Sequence, residues 1–329
     1  MHLKGIVMSA SHSDSRWFMR LKRESVELAK SIFKVYWTLI KVTVPALVAV
    51  KLLDMAGGTQ LLAWALSPVM NLVGLPESMG VVWSTVLLTN IYTGMALLVD
   101  ATAQDPLTVA QVSVLGAMML VGHALPVEGA VAKSAGVSWR ATLAIRVGGG
   151  LALGALLHLF YSATDLLQQP AHFLWRPDEG PADIWVVAQI KTLIGIFFII
   201  VFLLTFLRIL RWLGVEKWMH ALLFPVLRVL GIGREAANVT VIGVTLGLSF
   251  GAGLLIEEAR SGRLTRRDIF LTIGFLGLCH SLIEDTLVIM LLGADMSAIL
   301  WGRLLFALVV IGVLARLPAL NRRLQEATA

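Results

Sequence analysis

Apolar positions along the chain gather into two sets of five blocks, each block ended by a short polar or glycine-containing break. The first set covers about 34–55, 57–74, 77–100, 107–125 and 139–160; the second covers about 190–212, 214–231, 234–256, 264–282 and 296–316. Several approach the ~20 apolar residues with which a helix crosses a bilayer. The second block of each set is short and carries Pro68 or Pro225, which predicts a re-entrant or kinked helix there. Displacing the chain by 157 residues lays one set on the other without a gap. Lys34 meets Lys191, Lys51 meets Arg208, Gly74 meets Gly231, His123 meets His280, Glu128 meets Asp285, Gly136 meets Gly293 and Arg146 meets Arg303. These are polar residues and glycines rather than interchangeable aliphatics, so the match reads as a duplicated unit. The expected fold is an all-α polytopic membrane protein of two repeats, each with about five membrane segments and some broken or re-entrant helices.

Charge placement predicts how the repeats run. The organisation expected is a cytoplasmic amphipathic N-terminus at 1–33, a first repeat at 34–160, an external linker at 161–188, a second repeat at 189–317 and a cytoplasmic tail at 318–329. With five crossings per repeat and the basic N-terminus inside, the loop at 101–106, which lacks Lys and Arg, falls outside. Arg260, Arg263, Arg266 and Arg267 fall inside with Arg316, Arg322 and Arg323; Arg234 is the exception. An odd number of crossings inverts the second repeat relative to the first, the arrangement of many alternating-access transporters. From Glu24 to about Phe33 the pattern suggests an amphipathic helix along the inner surface.

Composition agrees with lipid as the solvent: 57% of residues are hydrophobic and 15% charged. One cysteine, Cys279, excludes an internal disulfide. The net charge of +6 does not come from a basic run interleaved with stacking aromatics, so nucleic acid is not an expected partner. There is no Walker A, HExxH or GxSxG sequence, and neither an enzyme nor a bound cofactor is expected. Expected partners are a small-molecule solute and membrane lipid, with a homo-oligomer left open.

Candidate chemistry concentrates at Gly122-His123-Ala124-Leu125-Pro126-Val127-Glu128 and its counterpart Cys279-His280-Ser281-Leu282-Ile283-Glu284-Asp285. Pro126 cannot donate a backbone hydrogen bond and crowds the carbonyl of Gly122, so the helix arriving from Leu107 should break beside His123. The second copy lacks the proline, and a continuous helix would set His280 and Glu284 on one face at i and i+4. Ionisable groups are costly in a membrane unless paired or hydrated. His123, Glu128, His280, Glu284 and Asp285 are therefore candidate solute ligands, or carriers of coupling protons, since an imidazole titrates near pH ~6.5. Arg146 and Arg303 are the candidate counter-charges, forming structural ion pairs with Glu128 and Asp285. A second polar stripe holds Ser84, Thr85, Thr89, Asn90 and Thr93, answered by Asn238, Thr240, Thr245 and Ser249. Hydroxyls of this kind glue membrane helices together, whereas Asn90 and Asn238 carry donors and acceptors suited to a polar ligand. Gly148, Gly149 and Gly150 sit inside an apolar helix and read as a packing surface. Trp64, Trp139, Trp175 and Trp212 lie near segment ends, as interfacial tryptophans do.

The duplicated unit, with GHALPVEGA in one copy and CHSLIEDTL in the other, resembles bacterial integral membrane proteins of the nucleoside-recognition, or Gate, domain type, a group that includes the spore-maturation membrane proteins. The resemblance covers about 34–316 and implies a multi-pass bacterial inner-membrane protein that permits solute permeation. Gate domains are also similar to parts of concentrative nucleoside transporters and of ferrous-iron permeases; the Gly-Cys-x-x-Pro pattern of the latter is absent here. Three readings follow. One is a permease for a small polar, nucleoside-like solute. Another is a divalent-metal permease using the His and carboxylate groups, with Cys279 as a soft ligand. The last is a non-transporting membrane partner whose buried charges fix helix packing.

Overall fold

The computed structural model describes the backbone of residues 3–102, 106–174, 184–246, 248–318 and 320; described side chains begin at 23 and leave out 216 and 246–253. Lys4, Arg16, Arg20 and Lys22, the side chain of Ser249, Trp175, most of the 161–188 linker's prolines and the tail with Arg322 and Arg323 lie outside the described side chains.

Among the described residues the chain is helical and forms no strand. The first half contains α1 (Leu3–Met55), α2 (Gly58–Leu72), α3 (Met79–Leu88), α4 (Ile91–Thr102), α5 (Val109–Gly122), α6 (Leu125–Ser134) and α7 (Trp139–Leu143). A π-helical turn, Ala144–Gly148, then leads into α8 (Gly149–Thr164). The second half contains α9 (Trp185–Trp212), α10 (Val215–Val229), α11 (Arg234–Leu246), α12 (Leu248–Arg260), α13 (Arg266–Cys279) and α14 (Glu284–Met290). Another π-helical turn, Ser297–Gly302, precedes α15 (Arg303–Arg316).

Both α2 with α10 and α5 with α13 begin and end at positions related by the 157-residue displacement. Equivalent residues also set the turns: left-handed backbone occurs at Gly57 and Gly214, Gly74 and Gly231, Ala124 and Ser281, and Gly136 and Gly293. Helix starts use matching chemistry. Thr108 Oγ1 accepts from the Gln111 N–H at 3.2 Å, and Thr265 Oγ1 from the Asp268 N–H at 3.0 Å, each satisfying a donor the helix itself cannot. The first helices of the two halves pack antiparallel. Glu24 of α1 pairs with Arg208 near the end of α9, and the Tyr36 hydroxyl donates to Leu193 O midway at 3.0 Å. Lys51 near the end of α1 shares a cavity with Trp185 at the start of α9.

At the centre lie α5 and α13, whose residues are almost all buried, while Phe198, Phe202 and Ile194 of α9 remain more than half exposed. An apolar surface of that kind suits lipid rather than water. Five helical stretches are long and apolar enough to cross a membrane: Val109–Ser134, Trp139–Thr164, Trp185–Trp212, Arg266–Met290 and Ser297–Arg316.

Two sequence expectations need correction. Residues 24–33 are not a separate surface helix; they continue into α1, since no proline or glycine interrupts the chain between Glu24 and Val44. The third block of the first set is not one helix but two, α3 and α4. In the first half Thr89 leaves helical geometry (φ −120°, ψ −104°), and the Asn90 side chain starts α4 by accepting from the Thr93 N–H at 3.0 Å. The chain also returns to helix at α6, between the fourth and fifth apolar blocks. The described part of the linker is tied to both halves, with Val109 N–H donating to Gln169 O, Ala171 N–H to Leu107 O and Leu174 N–H to Leu291 O.

The glycine-rich entry to α8 packs as its composition suggests, though not at every position. A Cβ on Gly154 would stand 2.7 Å from the sulfur of Met118 on α5, whereas one on Gly148 would meet nothing within 4 Å. Gly154→Leu should therefore cost about 1–3 kcal/mol by overpacking, while Gly148→Ala should stabilise by roughly 0.5–1 kcal/mol through helix propensity. Thermal melts of both variants in detergent test this; a loss for Gly148→Ala equal to that for Gly154→Leu would contradict the packing described.

Candidate functional site

Each central helix stops at a histidine. α5 ends at Gly122, His123 is extended (φ −61°, ψ 160°), and Ala124 is left-handed before α6 resumes. α13 ends at Cys279, His280 is extended (φ −98°, ψ 173°), and Ser281 is left-handed. Pro126 sits in the first turn of α6 as expected. The second break forms without a proline, so the continuous helix expected through His280 is overturned. What both copies share is a single left-handed residue, a conformation that costs a non-glycine residue about 1–2 kcal/mol. Strain of this sort persists only where surrounding structure holds it, and it clusters at functional positions.

The broken third block helps to hold it. Because α3 ends at Leu88, the Val86 carbonyl, which also takes the Thr89 N–H at 3.3 Å, accepts from the Ala124 N–H at 3.1 Å; in the second half Val244 O accepts from the Leu282 N–H at 3.0 Å. From the other side come the arginines, aimed by the π-helical turns beside them. Arg146 Nη2 donates to His123 O at 2.7 Å, and Arg303 Nη2 reaches His280 O at 3.4 Å and Thr286 Oγ1 at 3.5 Å.

These constraints bring the two imidazoles together, with ring centroids 5.0 Å apart. His123 Nε2 and His280 Nε2 are separated by 3.2 Å. Glu128 Oε1 lies 3.3 Å from His123 Nε2 and 3.1 Å from His280 Nε2; Asp285 Oδ2 lies 3.7 Å and 4.0 Å from the same atoms. Glu128 also forms an ion pair with Arg146. His123 and Glu128 are each 8% exposed, Arg146 and His280 each 2%, and Arg303 is fully buried. A void of about 20 Å³ beside Glu128 and Arg146, walled by α13, has room for one water.

Of the residues singled out from sequence, His123, Glu128, His280, Asp285 and Arg146 are thus gathered at one point. Glu284 is not; it faces a separate cavity with Arg208 and Arg211. Nor does Arg303 make the expected ion pair, since among the described residues no carboxylate lies within salt-bridge distance of it. Asn90 bonds to Thr43 and caps α4, and Asn238 is exposed and bonded to His220 Nε2 at 3.1 Å. Thr85 and Thr89 return their hydroxyls to backbone carbonyls of their own helix, whereas Thr93 bonds to Thr43 of α1 at 3.0 Å and Thr240 to Thr272 of α13 at 3.1 Å, so part of the stripe joins helices as its hydroxyls suggest. Cys279 is buried, but the group that could hold a metal ion is His123, Glu128 and His280. Sequence reading missed the arginine bonds to the histidine carbonyls; the matched Arg146 and Arg303 were its only trace.

Two further cavities are lined by residues that correspond under the 157-residue displacement. One, of about 840 Å³, is lined by Leu47, Val50, Lys51, Asp54, Trp185 and Ala188. The other, of about 290 Å³, is lined by their counterparts Leu204, Leu207, Arg208, Arg211, Leu28 and Ser31, and extends to Ile283 and Glu284 beside the second break.

A protein of Bacillus subtilis (strain 168) described as the uncharacterized membrane protein YvoD is 28% identical over 289 residues, covering 84% of this chain and 89% of that protein. No family model matches the chain, and no solved structure matches it. Helix content, apolar spans and this likeness together make the chain an all-α, multi-pass membrane protein.

Proposed function

We propose that the protein is a permease that moves a small polar solute by alternating access, with the His/carboxylate cluster as its solute site and the two repeats inverted across a bacterial inner membrane. One observation carries this reading: two cavities lined by repeat-related residues touch α1 some 20 residues apart, at Leu47–Asp54 and at Leu28–Ser31, and the second extends to Ile283 and Glu284 beside the buried charged cluster. At 1.5 Å per residue that spacing is about 30 Å, the thickness of a hydrocarbon core. The antiparallel pairing of α1 with α9 supports inversion, and broken helices meeting at a midplane site are how many such transporters hold their solute. The unequal cavities, about 840 and 290 Å³, fit a conformation more open toward one face than the other. The likeness to Gate-domain proteins supports permeation and makes nucleosides and nucleobases sensible first solutes.

Gln60 and Lys217 are exposed, repeat-equivalent positions at the starts of α2 and α10. Cysteines placed there should label with a membrane-impermeant maleimide from opposite faces of the membrane; labelling from the same face would refute inversion. For the solute, purified protein melted with nucleosides, nucleobases, lipid head groups and divalent metals should respond to one class, because a specific ligand raises the melting temperature by mass action. A protein indifferent to all of them would count against the permease reading.

A further inference from the structure

We infer that His123, His280 and Glu128 form a coordination site for a divalent transition-metal cation, and that this cation is the solute. The second half of the inference rests on the permease reading; the first half stands on the geometry alone.

Hydrogen bonding decides which atoms face the centre. His123 Nδ1 is 3.1 Å from Met119 O and His280 Nδ1 is 2.7 Å from Leu276 O. A carbonyl oxygen can only accept, so each Nδ1 carries the ring hydrogen and each neutral ring turns a bare Nε2 lone pair inward. Metal-binding histidines are held in the same way, with the second ring nitrogen donating to a backbone carbonyl or carboxylate. Glu128 adds Oε1, and its carboxylate is oriented by the ion pair with Arg146. The centre therefore consists of acceptors.

Spacing then argues for a single ion. The three atoms form a nearly equilateral triangle with sides of 3.1, 3.2 and 3.3 Å. Ligands bound at about 2.0–2.1 Å in a tetrahedron stand about 3.3 Å apart. A hydroxyl or amide of an organic solute donates to one or two of these atoms, whereas a point cation satisfies all three. Two imidazoles with a carboxylate select a transition metal over Mg²⁺ or Ca²⁺, which take oxygen ligands.

An independent observation concerns Asp285. Its Oδ2 is buried, lacks a hydrogen-bond partner among the described residues, and lies 3.7 Å from His123 Nε2. A short shift would bring it onto an ion held by the triangle. Arg146 neutralises Glu128 by an ion pair, and the buried guanidinium of Arg303 stands at the same break on His280 O, so the ion is held by coordination rather than by surplus negative charge. That favours binding weak enough to release, which passage through a membrane requires.

The test uses the full chain, purified in detergent and stripped with a chelator. Titrated Co²⁺ should produce the visible absorption of a nitrogen- and oxygen-ligated ion, saturating at one equivalent per chain and displaced by Zn²⁺. His123→Ala and His280→Ala should weaken binding by at least the ~10–100-fold seen when an outer partner of a metal ligand is removed, whereas Asn238→Ala should bind as wild type does. A wild-type protein that yields no such spectrum and no stoichiometric binding overturns the inference without reference to any variant, as does equal binding by wild type and both histidine variants. Proteoliposomes containing a metal-sensitive dye separate the two halves. Binding without metal entry leaves the coordination site standing and refutes the permease reading; uptake of an organic solute by protein that binds no metal does the reverse.

Discussion

Glu128→Ala is expected to cost the protein roughly 3–5 kcal/mol of stability before any solute is added, the range for removing one partner of a buried ion pair. The Arg146 guanidinium is 2% exposed, and Glu128 is its carboxylate partner. Its remaining bond, to His123 O at 2.7 Å, is to a neutral carbonyl and does not offset a full charge. Removing the arginine as well should restore much of the loss, because a pair replaced by apolar groups leaves no stranded ion. Glu128→Ala/Arg146→Met is therefore expected to melt well above Glu128→Ala alone. Asp285→Ala should be milder, since no arginine or lysine lies within salt-bridge distance of that carboxylate among the described residues. Melting curves for wild type, Glu128→Ala, Arg146→Met, the double variant and Asp285→Ala decide it: a loss in the double variant equal to the sum of the two single losses would mean that Glu128 and Arg146 are not coupled.

The second large effect separates binding from folding. In both histidine variants the apo protein should stay folded, because each neutral ring contributes one buried hydrogen bond to a carbonyl one turn earlier, and truncation costs about 1–3 kcal/mol. Ligand-induced stabilisation should vanish. Wild type at a ligand concentration ~100 times its dissociation constant gains about 2.7 kcal/mol, and His123→Ala or His280→Ala should gain almost none. The comparison needs each variant melted with and without the best ligand of the screen. Equal shifts in all three proteins would remove the histidines from the site, leaving the polar region around Thr89 and Asn90 as the next place to look.

How far the site was legible differs from residue to residue. Pro126 announces a break beside His123 because a proline has one local consequence wherever it stands. The equivalent break at His280 has no such marker. Ser281 adopts left-handed backbone because the Leu282 N–H finds Val244 O and Arg303 approaches His280 O, and these partners come from α11 and α15, far away in sequence. For the same reason Glu284 and Asp285, adjacent and alike in composition, could not be told apart: a continuous helix would have directed Glu284 toward His280, and the break directs Asp285 there instead.

By itself the sequence determined that the chain is a membrane-embedded helical protein, and it displayed the 157-residue displacement that pairs polar residues and glycines of the two halves. Hydrophobic block length, the one-to-one pairing of polar residues and the placement of glycines are properties of the linear order, and the solvent acts on each block separately. It also determined which ionisable residues had to be accounted for, because a charge in an apolar block is costly wherever the block ends up. Tertiary structure alone decided that α3 and α4 are separate helices, that Arg146 has a carboxylate partner while Arg303 binds a carbonyl, and that two imidazole nitrogens and one carboxylate oxygen meet within about 3 Å. Those outcomes depend on which orphaned carbonyls and charges from distant segments come within reach of one another, and no local propensity encodes that distance.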